Sequence, residues 1–362
     1  MAKFYYGGQA VMEGVMMRGR VSAAVAIRKP DESIYLYEEA LNPRLYQNRL
    51  FRLPFLRGLL LLWEMLVLGT RLMTMSANIA TGAVDPDARS ASDNAQPSTN
   101  GHQPAGTEAA SSTVTSEASN EMAPPQIGGV TLAITLIISL GVAVLIFFVA
   151  PLFIANLYHS PAGNGWINLV IEGVVRLLLL LGYLYLIGRV PDIQRVFGYH
   201  GAEHKTINAM EQGDPLDIPH VRRASRVHTR CGTGFLLLVM VVSIFVFAFI
   251  VTPSLPLKIL SRIVLVPVVA GISYELMRLG AANYRFRIVK WLLAPGLALQ
   301  GLTTREPDDS MIECAIASLK RVTQRDELTV PGSEDRQSNR EITPLEPAHQ
   351  LPPLPARQGS EV

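Results

Sequence analysis

The chain has 362 residues, of which 49% are apolar and only 17% charged, and its mean hydropathy is +0.26. This composition is too apolar for an ordinary soluble protein and indicates a membrane protein. The two cysteines, Cys231 and Cys314, exclude a disulfide-rich secreted scaffold and fit reduced thiols in or facing the cytosol. Residues 1–8 contain no apolar core of a cleaved signal peptide, so we expect membrane insertion to depend on internal segments.

The net charge of +2 is the sum of two acidic segments and a basic remainder. Residues 80–126 carry six acidic residues and one arginine, and residues 323–362 carry seven acidic residues and four arginines, which leaves +10 on the rest of the chain. The lysines and arginines form no block with interleaved aromatic residues. We therefore interpret the basic excess as a determinant of membrane orientation and expect no nucleic-acid partner.

The first segment, GGQAVMEGVMMRG, has glycines at positions 7, 8, 14 and 19. Their spacing fits neither of the common glycine-rich phosphate loops, so we predict tight turns here. Residues 21–28 and 33–39 then flank the turn sequence KPDE, a pattern typical of a β-hairpin. We predict a small cytoplasmic β-element at the amino end of the protein.

Residues 54–75 form an apolar segment in which Arg57, Glu64 and Arg71 recur every seven residues. This period places the three charges on one stripe of a helix. We predict an amphipathic helix that lies at the membrane interface. The alternative is a fifth transmembrane helix with a polar seam, which would place the amino end outside the cell.

Residues 81–126 contain almost no large apolar side chain, so they cannot bury enough surface to offset the loss of conformational entropy on folding. The same argument applies to residues 323–362 with their proline-rich end. We predict a disordered acidic linker and a disordered tail. These segments divide the chain into an amino-terminal region, residues 1–80, and a transmembrane core, residues 127–322.

Four apolar stretches of the core are long enough to cross a bilayer, since a helix that rises about 1.5 Å per residue spans roughly 30 Å in about 20 residues. They are residues 130–155, 167–187, 232–251 and 260–279, the last with a kink at Pro267. The His-rich loop before the third stretch, residues 189–231, contains seven lysines and arginines. We therefore predict that this loop and both termini are cytoplasmic and that the protein lies in the cell inner membrane.

After the fourth stretch, residues 288–300 are predicted to lie along the membrane surface. Ser310 and Glu313 then have the spacing of a capping box, which predicts the start of a last amphipathic helix. The sequence as a whole predicts an all-α polytopic membrane protein with four transmembrane helices, amphipathic interfacial helices and a small N-terminal β-hairpin element.

Histidines cluster in the loop of residues 189–231, where His200, Glu203 and His204 form the pattern H-x-x-E-H. In this pattern two imidazoles one helical turn apart bind zinc, and the glutamate transfers a proton. At about 100° per residue, the three side chains project from one face of a helix. We predict His200 and His204 as metal ligands and Glu203 as a general base.

A catalytic zinc ion usually has three protein ligands, and three residues are candidates for the third. His228 and Cys231 precede the third span, and Glu275 lies near the cytoplasmic end of the fourth. Binding by both His228 and Cys231 would close a structural site, whereas binding by one would leave a position open for chemistry. The simpler interpretations are hydrogen-bonded histidines, a buried thiol, and a helix partner for Arg278.

The chain resembles a bacterial membrane family, the DUF1385 or YqhQ-like proteins, in five strings: GGQAVMEGVMMRGR, RVPDIQRVFGYHGAEHKTI, HTRCGTGF, ISYELMRL and LAPGLALQGLTTREPDDSMIECAIASLK. The resemblance covers nearly all of the chain except the linker and the tail. The resemblance implies a metal-dependent enzyme but does not identify its reaction. Thr229 stands where the family pattern has a proline, and this difference leaves His228 and Cys231 in place.

These observations favour a zinc-dependent hydrolase, such as a membrane peptidase, that acts on a lipid-linked or membrane-embedded substrate. Iron or manganese is an alternative to zinc. Two other functions stay open. One is a non-enzymatic membrane scaffold or assembly factor with a structural metal or histidine cluster, and the other is an ion or solute carrier that uses Glu64, Glu172, Arg176 and Glu275. The lipid bilayer is the expected partner, with a homo-oligomer or a membrane-protein partner as further options.

Overall fold

The computed structural model describes residues 6–41, 53–84, 129–157, 165–249 and 254–328. Within these ranges the protein is mostly helical, and a four-stranded antiparallel sheet forms near the amino end. Residues 85–126 of the predicted linker and residues 329–362 of the predicted tail lie outside the described residues. Residues 323–328, which we predicted as tail, instead belong to the last helix.

The helices account for most of the described chain. In chain order they are α1 Leu56–Ala80, α2 Gly129–Val144, α3 Ala150–Leu157, α4 Gly165–Ile187, α5 Pro191–Gln212, α6 Ile218–Arg223, α7 Gly232–Ala248, α8 Leu255–Val264, α9 Val266–Ala282, α10 Arg287–Thr303 and α11 Asp309–Leu328. A π-helical turn, Leu145–Val149, joins α2 to α3. The helices predicted at residues 130–155, 167–187 and 288–300 are confirmed.

The amino-terminal sheet is larger than predicted. Its strands, β1 Gly7–Val11, β2 Gly14–Arg18, β3 Ser22–Arg28 and β4 Ile34–Ala40, pair in sequence order. Strands β3 and β4 confirm the predicted hairpin. The prediction of tight turns for the glycine-rich segment is confirmed at Met12 and Glu13, which join β1 to β2, but Gly7, Gly8 and Gly14 lie in the strands and not in the turn.

Helices cover both faces of this sheet. Successive residues of a strand point to opposite faces. Met17 accordingly packs in one hydrophobic core with residues of α5 and α11, and Met16 packs in a second core with Leu68, Leu72 and Ile79 of α1. Because both faces are buried, the strands show no alternation of apolar and polar residues. The sequence pattern missed β1 and β2 because their glycines were interpreted as turn residues.

Within the described ranges, three stretches of helix are long and apolar enough to cross a membrane, namely Leu56–Ala80, Ile134–Ala155 and Asn168–Ile187. A fourth is added if the bent pair Pro256–Val264 and Val266–Ala282, with an angle of 42° between its helices, counts as one span. The bend lies beside Pro267, as predicted, because a proline cannot continue the hydrogen bonding of a helix. The predicted set of four therefore differs in its members: α7 has 17 residues, and α1 joins the set.

The charged stripe of α1 faces other parts of the protein. Each of its three charges pairs with a different element: Arg57 with Glu275 of α9, Glu64 with Arg18 of β2, and Arg71 with Glu39 of β4. The seven-residue spacing therefore identified one helix face. We had expected that face to contact water and lipid headgroups, but its charges find partners within the protein.

Three charged residues within the apolar helices of the core form a buried cluster. Glu172 of α4 accepts hydrogen bonds from Arg176 at 2.7 Å and from Arg262 of α8 at 2.9 Å, and all three residues are at least 95% buried. Arg176 also donates to the Ser243 hydroxyl at 2.7 Å and to the Phe147 carbonyl at 2.9 Å. Phe147 lies in the π-helical turn, where the altered hydrogen-bond pattern makes such a carbonyl accessible.

Helix α11 packs against the sheet. The Ser318 hydroxyl accepts a hydrogen bond from the Met17 N–H at 3.1 Å and donates one to the Ala24 carbonyl at 2.8 Å. The predicted capping box at Ser310 was wrong. Asp308 accepts the hydrogen bond from the Met311 N–H at 2.9 Å, and the Glu313 carboxylate pairs with Arg28 of the sheet. The glutamate is therefore used for a long-range contact and not for the local cap.

Glu38 of β4 is a second link between the sheet and α11. Its carboxylate accepts hydrogen bonds from Arg321 and Arg325, each at 2.7 Å. Burial raises the pKa of Glu38, but the hydrogen bonds from the two arginines outweigh burial and hold the pKa below its ordinary value of 4.5. A lowered folded-state pKa contributes stability above the unfolded-state pKa, and this stability is lost as the pH falls through the folded-state pKa.

We expect Glu38→Gln to reduce the free energy of unfolding by about 1–2 kcal/mol at neutral pH, because the charged hydrogen bonds are lost. The difference from the wild type should shrink on acidification below pH 4.5, where the wild-type carboxylate also becomes protonated. Thermal unfolding of the full chain at several pH values measures this. Glu39→Gln is the matched control, since Glu39 pairs with the exposed Arg71, and an equal loss in both variants would contradict the prediction.

Candidate metal centre

Helix α5 carries the histidine pair. It begins with Pro191 in its first turn and ends before Gly213, whose left-handed φ of 82° is typical of a residue that follows a helix. His200 and His204 lie one turn apart on this helix, and their ring centroids are 4.4 Å apart. The side chain of His200 is 19% exposed and His204 is buried. The predicted placement of both imidazoles on one face is confirmed.

Backbone carbonyls orient both rings. The Nδ1 atom of His200 lies 2.9 Å from the carbonyl oxygen of Thr303, and the Nδ1 atom of His204 lies 2.5 Å from that of Arg226. A carbonyl only accepts, so each Nδ1 carries the proton and donates. Each Nε2 atom then retains a lone pair, as in metal-binding histidines whose other nitrogen is held by a backbone carbonyl.

Cys231 completes a group of three potential ligands. It is the residue immediately before α7, and its Sγ atom lies 3.3 Å from the Nε2 atom of His200. The ligand atoms of His200, His204 and Cys231 all lie within 4.8 Å of one another. Zn²⁺ with bonds of about 2.0–2.3 Å would hold tetrahedral ligands roughly 3.4–3.8 Å apart, so the group fits such an ion with a small contraction. Two imidazole nitrogens and a sulfur are also ligands that zinc prefers.

His228 lies next to these three residues. Its ring centroid is 5.6 Å from that of His204, and its buried Nε2 atom has no hydrogen-bond partner in the described part of the chain. Burial, together with the nearby His204, Arg230 and His200, lowers the pKa of His228 to about 3, so its ring is neutral at physiological pH. Leaving a buried polar atom unpaired costs free energy, and coordination of an ion would remove that cost.

Glu203 provides a buried carboxylate beside the group. Its Oε2 atom lies 3.9 Å from the Nε2 atom of His200. Burial raises the pKa of Glu203, and the nearby His200 and a hydrogen bond from the Gly8 N–H oppose this effect. A carboxylate with a raised pKa takes up and releases a proton at a pH closer to neutral. Glu203 therefore lies beside the His200 ring in a buried environment that favours uptake of a proton.

Strand β1 passes directly over this carboxylate. A Cβ atom at Gly8 would lie 2.6 Å from the Met16 carbonyl oxygen and 2.9 Å from the Cγ atom of Glu203. Only glycine allows the strand to approach closely enough for its N–H to reach the carboxylate. Sequence reasoning had assigned Gly8 to a turn, and its role became visible only when the strand was placed against α5.

The structure does not bring Glu275 to this site. Its carboxylate pairs with Arg57, whose Nε atom donates at 2.7 Å, and it also accepts a hydrogen bond from the Phe55 N–H at 3.3 Å. The predicted partner Arg278 lies 3.9 Å away. Glu275 thus links α9 to the start of α1. Of the three candidates for a further ligand, the structure places Cys231 and His228 near the histidine pair.

The carboxyl end of α10 forms hydrogen bonds with residues of the site. Gln300 accepts a hydrogen bond from the His228 N–H at 2.9 Å and donates one to the His228 carbonyl at 2.7 Å. The Thr303 carbonyl accepts from His200, and the Thr303 hydroxyl lies 2.9 Å from that of Thr233. Sequence reasoning missed both residues because they lie about a hundred positions from His200. The only signal was that they fall in one of the strings that resemble the family.

The described chain thus combines apolar helices long enough to cross a membrane with a four-stranded sheet and a His–His–Cys group. The family described as "Protein of unknown function (DUF1385)" matches residues 53–325. The chain is also similar to "Uncharacterized protein YqhQ" of Bacillus subtilis (strain 168), with 34% identity over 326 residues that cover 90% of this chain and 94% of that protein. No solved structure matches. The chain therefore belongs to the DUF1385 family.

Proposed function

We propose that this protein is a metal-dependent hydrolase of the inner membrane with its metal centre at the cytoplasmic membrane face. The observation that carries the proposal is the convergence of the ligand atoms of His200, His204 and Cys231 within 4.8 Å. Zinc is the expected ion because the group combines nitrogen and sulfur donors. The substrate would be lipid-linked or embedded in the membrane, since the proposed site lies beside apolar helices.

We further propose that α2–α3, α4, α7 and α8–α9 cross the membrane and that α1 does not. Helix α1 is apolar enough to cross, but Leu68, Leu72 and Ile79 pack on the sheet whose other face packs on α5 and α11. One helix cannot both cover a sheet outside the bilayer and span the bilayer along the same residues. The 17 residues of α7 reach the lower limit for a span, which is about 17.

The proposed chemistry assigns separate tasks to the residues of the site. His200, His204 and Cys231 would hold the ion, and His228 is available as a further ligand. When bound, a divalent cation acts as a Lewis acid and makes water a better nucleophile near neutral pH. Glu203 would accept a proton from the attacking group and pass it to the leaving group. The Gly8 N–H and the buried position of Glu203 would fix that carboxylate in place.

We expect full-length protein purified in detergent to contain about one zinc ion per chain. His200→Ala, His204→Ala and Cys231→Ala should each lose most of this metal, because two ligands bind zinc much more weakly than three. Elemental analysis by mass spectrometry measures the metal. His220→Ala is the matched control, since His220 lies in the same loop but is exposed and bonded to Asp217. The proposal fails if the wild-type protein contains no transition metal.

Glu203→Gln separates a hydrolase from a scaffold. If Glu203 is a base, the variant should lose about 10²-fold or more of the hydrolytic rate while its metal content and thermal unfolding midpoint stay close to those of the wild type. A panel of membrane-soluble esters, phosphoesters and peptides provides the activity assay. A large fall in the unfolding midpoint would instead assign Glu203 to the structure alone and favour the scaffold.

A scaffold or assembly factor is the second candidate function. It is favoured by one observation, namely that the site joins α5, the segment before α7 and the end of α10 through buried hydrogen bonds. A metal there would tie these segments together without any reaction. The carrier hypothesis has less support, because Glu64, Glu172, Arg176 and Glu275 are all engaged in ion pairs. Substrate flux into proteoliposomes that depends on Glu275 would be needed to support the carrier hypothesis.

A further inference from the structure

A cleft of about 470 Å³ lies beside the proposed metal centre, between the end of α4, the end of α10 and the segment before α7. Three arginines line it: Arg189, Arg226 and Arg305. The one acidic residue in its lining is Glu306. Tyr185 and Leu302 form part of its apolar wall and are themselves 52% and 38% exposed. The cleft thus combines an excess of positive charge with an apolar side.

The positive charge of this cleft is not neutralised within the described residues. Glu306 is shared between Arg226, at 3.1 Å, and Lys205, at 2.6 Å. Arg189 and Arg305 form no ion pair in the described part of the chain. Arg305 donates to the Gly188 carbonyl at 3.0 Å, and Arg189 donates to the Tyr185 hydroxyl and lies over the Tyr185 ring, 4.4 Å from its centroid. A guanidinium has five N–H donors, so both arginines keep donors for a ligand.

We propose that this cleft binds a phosphate group, with the remaining N–H groups of Arg189 and Arg305 as its main donors and the apolar wall as the contact for an attached acyl chain. Arginine suits this task because its planar fork donates two parallel hydrogen bonds to phosphate oxygens. Basic pockets between helices on the cytoplasmic side of a membrane are typical sites for anionic lipid headgroups. The phosphate belongs to a membrane amphiphile or to a soluble anion, and the two sources share the same chemistry.

This site adjoins the metal centre through backbone atoms. The Arg226 carbonyl accepts the hydrogen bond from His204, and Thr304 in the cleft follows Thr303, whose carbonyl accepts from His200. The phosphate site nevertheless does not depend on the proposed function, because none of its side chains is a candidate metal ligand. A metal-free His200→Ala protein should therefore still bind phosphate, and this separates failure of one proposal from failure of the other.

Gly301 allows the cleft to be filled without removing a charge. It lines the cleft, and a Cβ atom there would have no atom within 4 Å. Gly301→Leu should fold normally and place its side chain in the cleft. Gly182→Leu is the matched control, since Gly182 is also a helical glycine with nothing within 4 Å of its Cβ position but does not line the cleft. The charge variant is Arg189→Gln with Arg305→Gln, and Arg222→Gln, which alters an exposed arginine paired with Asp309, is its control.

The experiment titrates the full-length protein in neutral detergent with dihexanoyl phosphatidic acid, inorganic phosphate or zwitterionic dihexanoyl phosphatidylcholine, and measures heat of binding and the thermal unfolding midpoint. We expect phosphatidic acid to bind at least about tenfold more tightly than phosphatidylcholine, and Gly301→Leu and the double arginine variant to weaken it about tenfold or more. Both controls should bind like the wild type.

Comparable binding of inorganic phosphate, lost in the same variants, would support the site and identify a soluble anion as its ligand. Absence of binding by either phosphate, or binding that survives both variants, would overturn the proposal.

Discussion

Glu172→Gln is expected to reduce the free energy of unfolding by about 3–5 kcal/mol, because it leaves two buried guanidiniums without a counter-charge. Arg176 and Arg262 are 1% and 3% exposed, so water cannot replace the lost carboxylate. Glutamine keeps the size of the side chain and one carbonyl acceptor, so the variant removes mainly the charge. Reversible unfolding in mixed micelles, followed by circular dichroism, measures the change.

Two further variants test whether charge is the cause. Glu172→Gln combined with Arg262→Met restores the original net charge of the cluster, and we expect it to be clearly less destabilised than the sum of the two single variants. Ser243→Ala removes one hydrogen bond to Arg176 and should cost only about 1–2 kcal/mol. If Glu172→Gln is no more destabilising than Ser243→Ala, the cluster does not hold α4 and α8 together through its charges.

Gly201→Ala is expected to damage the metal centre although it changes no ligand. A Cβ atom at this position would lie 2.1 Å from the carbonyl oxygen of Arg305, so the backbone around residue 305 must move away from α5. That backbone leads back to Thr303, whose carbonyl orients His200. We expect a loss of about 1–3 kcal/mol in stability and a fall of about 10–100-fold in zinc affinity.

Gly182→Ala is the control for this variant. It is the same substitution inside a helix, but a Cβ atom at Gly182 would have nothing within 4 Å. It should leave the metal affinity unchanged and raise stability by up to about 1 kcal/mol, because alanine favours a helix more than glycine does. Zinc titration and thermal unfolding of both variants give the comparison. Equal behaviour of the two would mean that the close contact between α5 and residue 305 does not position His200.

Local patterns of the sequence predicted most of the helices and the pair of imidazoles in the candidate site. The long apolar stretches at residues 130–155 and 167–187 identified helices because a span must satisfy its backbone hydrogen bonds locally. The spacing of His200 and His204 fixed their common face for the same reason. By contrast, β1 and β2 were not recognised, because each begins with glycine, a residue that is common in turns and rare in strands.

The choice among Cys231, His228 and Glu275 could not be made from the sequence. None of the three lies on α5, and their distances from His200 depend on how α7, α9 and α10 pack. The sequence placed Glu275 near the end of a span. In the structure its carboxylate pairs instead with Arg57, on a helix more than two hundred residues earlier. Gln300 and Thr303 likewise reach the site only through the packing of α10.

The sequence by itself determined the apolar character of the core helices, the hairpin of β3 and β4, and the paired imidazoles of α5, because each of these depends on residues within one or two turns or strands of one another. Only the tertiary structure decided that β1 covers Glu203, that Cys231 and not Glu275 reaches His200, and that the charges of α1 face the protein. These contacts join segments between about 30 and 220 residues apart. Their formation depends on which surfaces are buried together, and no local period of the sequence records that.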